Sequence, residues 1–64
     1  MITFTKKPVV IRNEAFGSEE TLLEVSPAID GVPMSFAMYF GLTDTDARIQ
    51  ELVEDSLRRR GLIP

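Results

Sequence analysis

The sequence predicts an α+β fold: a three-stranded antiparallel β-meander whose apolar face packs against one C-terminal amphipathic helix, β-β-β-α, as a single compact domain over residues 1–64. Three observations carry that expectation. An Asp-Gly pair at 30–31 joins two stretches in which large apolar residues recur at every second position. Beyond Gly41 the apolar spacing lengthens to the helical 3.6. The chain has neither cysteine nor histidine, so disulfides and Cys/His zinc sites are excluded and packing alone, helped or not by dimerisation, must hold it.

Taken in order, "ITFT" alternates and "PVVI" is β-branched, which predicts a first strand over 2–12 interrupted or bent at Pro8. Asn13 to Ser18 reads as a loop with Gly17 as its flexible point and Phe16 either tucked under the sheet or exposed. With Asp30 and Gly31 as a two-residue turn, opposed residues sum to 61. Leu23, Val25, Pro27 and Ile29 then share a face with Val32, Met34, Phe36, Met38 and Phe40. Pro27 would remove a ladder bond in that register, so a bulge or wider loop is expected near Ser26 to Ala28. The rival reading makes "MSFAMYFGL" a short helix.

Thr43 followed by Asp46 reads as a helix start resembling a capping box, with Asp44 and Asp46 at the positive end of the dipole. Ile49, Leu52, Val53, Ser56 and Leu57 form the apolar stripe of a helix over 44–60. Arg58, Arg59 and Arg60 fill its last turn. Gly61 suits the left-handed position beyond it, and Leu62 can fold back on Leu57.

Composition narrows the function. No apolar run approaches the roughly 18 residues of a membrane span, and "MITFTKKPVVIR" lacks a signal-peptide core, so a soluble, cytoplasmic protein is expected. Without His or Cys, catalysis would rest on carboxylates, hydroxyls, Lys and Tyr39, and no such group has a motif partner; the expectation is a non-enzyme without cofactor. Asp44 and Asp46 are explained by helix capping before any metal is invoked. Direct nucleic-acid binding would need Lys6, Lys7, Arg12, Arg58, Arg59 and Arg60 to converge. The pairs Asp44–Arg48, Glu54–Arg58 and Asp55–Arg59 at i,i+4 would instead absorb helix charge, and the pI is near 4.7.

Net charge of -3 conceals a strong segregation: residues 1–12 carry +3, residues 13–30 carry -5, residues 31–57 carry -4, and Arg58 to Arg60 restore +3. Such an acidic middle attracts a basic partner or simply keeps an apolar domain dispersed. Glu14, Glu19, Glu20, Glu24 and Asp30 have no basic residue between them; with Glu51, Glu54 and Asp55 on the helix they are the candidate partner-binding residues. In the acid-rich 13–30 block and the capped helix of 43–61, the chain resembles small phage-encoded anti-CRISPR-type inhibitor proteins. That resemblance implies a stoichiometric binder, acting in a phage-infected or lysogenic bacterial cell, that masks the nucleic-acid-binding surface of a host complex such as a CRISPR effector. Arg58 to Arg60 depart from a uniformly acidic DNA mimic. The alternative is a small homo-oligomeric phage or bacterial assembly protein, held by Leu22, Tyr39, or Leu62 and Ile63, or by an uncovered edge strand.

Overall fold

A computed structural model describes residues 1–64. Strand β1 (Ile2–Asn13) and strand β2 (Ser18–Ile29) form one long antiparallel hairpin, with Ile2 opposite Ile29 at one end and Asn13 opposite Ser18 at the other. Strands β3 (Val32–Pro33) and β4 (Met38–Phe40) both pair with β2, so they are two pieces of the predicted third strand. Helix α1 (Asp46–Arg59) covers one face of this sheet, and the α+β architecture is as the sequence predicts.

The turn is a two-residue one with positive φ at both positions, 50° at Asp30 and 81° at Gly31. It sets Ile29 opposite Val32 and Ala28 opposite Pro33, in the predicted register. Farther along, Val25 lies opposite Met38 and Leu23 opposite Phe40, a slip of two residues. Pro27 is the cause. Its carbonyl accepts from the Met34 amide at 2.9 Å, but it has no N–H to return, and residues 34–37 leave the ladder. The irregularity therefore lies in the third strand and not near Ser26 to Ala28, because β2 is pinned by β1 along its whole length while the third strand is a free edge. A slip of two preserves the alternation, and Val25, Pro27 and Phe40 are buried together on the helix side.

The same alternation explains why Pro8 neither breaks nor ends β1. Ile29 and Val32 flank the tight turn as a hydrogen-bonded pair, so odd-numbered residues of β2 direct their backbone groups toward β3 and β4, and even-numbered ones toward β1. On β1 the even-numbered residues consequently face the open edge. The Ile2 carbonyl, on that edge, accepts from Gln50 Nε2 at 3.4 Å, whereas the Met1 carbonyl turns inward to the Asp30 amide at 2.8 Å. Pro8 is even-numbered, so the N–H it lacks would have pointed away from β2.

Helix α1 begins two residues later than predicted. Thr45, not Thr43, is the N-cap, its hydroxyl accepting from the Arg48 amide at 3.2 Å. Thr43 is consumed by a turn in which the Asp44 amide donates to the Gly41 carbonyl and the Asp44 carboxylate accepts from the Gly41 amide. The helix end is as predicted: Gly61 has φ 74°, its amide donates to the Arg58 carbonyl, and the Leu62 amide donates back to Leu57. Ile49, Val53 and Leu57 are fully buried and meet Val25 and Phe40, with Ile2, Phe4, Leu23, Ile29 and Met38 packed around them. Only six of 64 residues are buried, so this one cluster is the whole core.

The core occupies one end of the molecule. Past Pro8 on β1 and Leu23 on β2, neither a third strand nor the helix follows the hairpin. Its last residues project as a two-stranded arm, and the molecule measures 41 Å along its long axis against 21 and 18 Å across. Phe16 sits at the arm's tip, 83% exposed.

Candidate functional site

Helix α1 covers the sheet face that carries Val25, Pro27 and Phe40, and the opposite face is bare. On that bare side the alternation places Lys7, Val9 and Ile11 from β1, Glu20, Leu22 and Glu24 from β2, and Tyr39 from β4. Cross-strand pairing sets Ile11 opposite Glu20 and Val9 opposite Leu22. The next row runs Lys7, Glu24, Tyr39 across three strands. Tyr39 therefore stands beside Glu24 and not beside Leu22, as a result of the two-residue slip.

Glu24 is held from both sides. The Tyr39 hydroxyl donates to Glu24 Oε2 at 3.3 Å, and Lys7 Nζ lies 3.6 Å from Oε1. Its side chain is only 25% exposed, unlike the other acids of the 13–30 block. Glu20, one row outward, is exposed and has neither an ion pair nor a hydrogen bond. Glu14 stands at the arm's tip, equally unpaired.

The structure does not bring the remaining candidate acids to this face. Glu19 projects to the helix side of the arm, where Arg12 bonds it at 2.6 Å. Asp30 is at the far end of β2 and pairs with the N-terminal ammonium. Glu51, Glu54 and Asp55 lie on α1, across the sheet, and are engaged by Arg48, Gln50 and Arg59 respectively. Of the three predicted helix pairs, Asp55–Arg59 forms, at 2.9 Å. Asp44 is instead spent on the Gly41 turn, and Arg58 Nε donates to the Pro64 oxygen.

The cations are also dispersed. Lys6 bonds Asp46, Lys7 and Arg12 serve Glu24 and Glu19, and the Arg60 guanidinium stacks on the Phe36 ring at 3.8 Å. The basic groups of the two chain ends therefore make no common stripe. An open groove of about 570 Å³ runs between β4 and α1 and is lined by Tyr39, Phe40, Leu52, Asp55 and Arg59 among others. No three metal-ligating side chains gather anywhere in the chain, and no helix is long and apolar enough to cross a membrane.

Sequence reasoning identified Glu20 and Glu24 but missed Lys7 and Tyr39 as the residues that hold Glu24. A constant sum of 61 sets Tyr39 opposite Leu22, and only the two-residue slip brings it beside Glu24, while Lys7 is placed there by the register of the first hairpin. Compared with known families, curated proteins and solved structures, the chain matches none.

Proposed function

We propose that this chain is a non-enzymatic, protein-binding inhibitor that lays its bare sheet face on a basic surface of a host nucleic-acid-binding complex, a CRISPR effector being the form implied by the resemblance. One observation carries the reading: a sheet face left uncovered by the helix interleaves Val9, Ile11, Leu22 and Tyr39 with a free carboxylate, Glu20, and with Glu24, which Lys7 and Tyr39 hold in place. Apolar groups supply contact area there, and carboxylates select a cationic partner and penalise a like-charged one. Glu14 extends the same charge to the arm's tip. Glu19, Asp30, Glu51, Glu54 and Asp55 have no part in this contact, which makes it a local acidic and apolar patch and not an imitation of a phosphate ladder.

The test is capture of purified, guide-loaded CRISPR effector complexes by the immobilised chain, with and without competitor duplex DNA. Binding should be displaced by DNA and weakened about tenfold or more by E14K/E20K, whose parent side chains hold nothing in the fold. Absence of capture, or capture indifferent to both DNA and the double substitution, refutes the acidic-patch reading.

A further inference from the structure

The open edge of β1 is guarded along only half its length. Gln50 occupies the Ile2 carbonyl, Lys6 is tied to Asp46 on the helix, and Pro8 has no N–H to offer. From Val10 to Arg12 nothing covers the edge, and there the backbone groups of Val10 and Arg12 point outward unpaired. The side chains in this stretch, Val9, Val10 and Ile11, are apolar on both faces of the arm; Val10 is 63% exposed and Ile11 39%. A two-stranded ribbon with such side chains and no third strand is poorly stable by itself.

We propose that this edge pairs with the same edge of a second copy, antiparallel, with Val10 on the two-fold axis. The register is self-complementary. Val10 exchanges both backbone bonds with its counterpart, and each Arg12 amide reaches the opposite Pro8 carbonyl, so the missing proline N–H falls at the end of the ladder. Val9 faces Ile11 of the second copy on one side of the sheet, and Val10 faces Val10 on the other. A register centred on Pro8 would set two prolines against each other, and one centred on Arg12 would oppose two guanidinium groups. The two-fold axis is perpendicular to the sheet, so both helices lie on one side and both bare faces merge into one surface on the other. So short a pairing buries less than a standard interface of about 1,600 Å², which places its dissociation constant in the range of about 10 μM to 1 mM.

Sedimentation equilibrium of the purified chain, up to about 2 mM, should show reversible passage from one 7.2 kDa chain to two. V10P removes only an outward N–H and should raise the dissociation constant at least about tenfold, with the circular dichroism of the monomer retained. V10C, the sole cysteine, should oxidise to a covalent dimer, since opposed residues of a hydrogen-bonded pair stand about 5.5 Å apart; I11C should crosslink far more slowly. A single-chain mass at every concentration, or dimerisation that V10P leaves unchanged, overturns the proposal. No partner protein is present in these measurements, so their outcome is independent of the inhibitor reading.

Discussion

Truncating Leu57 to alanine removes a fully buried side chain from the middle of the only core the chain possesses. Leu57 is the innermost residue of the last helical turn and also receives the Leu62 amide, so no neighbouring loop is free to collapse into the vacated space. Leucine-to-alanine changes at such sites cost about 2 to 5 kcal/mol, the upper half applying where relaxation is restricted. A domain of this length has about 3 to 10 kcal/mol of total stability, so the variant should lose between a third and all of it. Leu52, half-buried on the flank of the same helix, should cost about 1 kcal/mol when truncated. Urea unfolding followed by far-ultraviolet circular dichroism measures both, and the slope against urea should be unchanged for each. A loss below about 1 kcal/mol for Leu57, or equal losses at the two positions, would mean that α1 does not cover the sheet. The distinction between a covered and a bare face would then fail with it.

Three smaller predictions test local assignments. Thr45→Ala should cost about 1 kcal/mol and Thr43→Ala less than about 0.5, read by the same urea titrations, because only Thr45 accepts from a helical amide. Gly61→Ala should cost about 1 kcal/mol through its positive φ alone, since no atom lies where the new methyl group would go; a neutral result by thermal melting would contradict the left-handed cap. Val9→Pro, which deletes an N–H directed at β2, should lower the melting temperature by several degrees more than Val10→Pro, which deletes one directed at the open edge.

Much of this fold was legible because a few residues leave little choice. Asp30 and Gly31 admit a primed turn, the odd-numbered apolar residues of 23–29 admit one buried face, and Gly61 with Leu62 spells a helix stop. What escaped were matters of competition between equivalent groups. Thr43 and Thr45 are both good caps, and only the demand of the Gly41 turn for Asp44 decides between them. Pro27 had to disturb one of two strands, and the better-held neighbour of β2 pushed the disturbance onto the edge. Pro8 was harmless because of a parity counted from a turn more than twenty residues away. The acids were visible in composition, but composition carries no alternation: Glu19 and Glu20 are adjacent in sequence and project from opposite sides of the arm.

The one-ended core also grades the hairpin dynamically. Val25 lies under the helix and pairs with Met38, so its amide opens only when the whole domain unfolds, whereas Ser18 is held by ladder bonds to Asn13 without apolar cover. Amide hydrogen exchange along β2 should therefore fall from near-global protection at Val25 to almost none at Ser18, in the span of seven residues. A chain that frays from the arm's tip, while its other end stays shut, can have its tip reshaped without loosening the body that carries it.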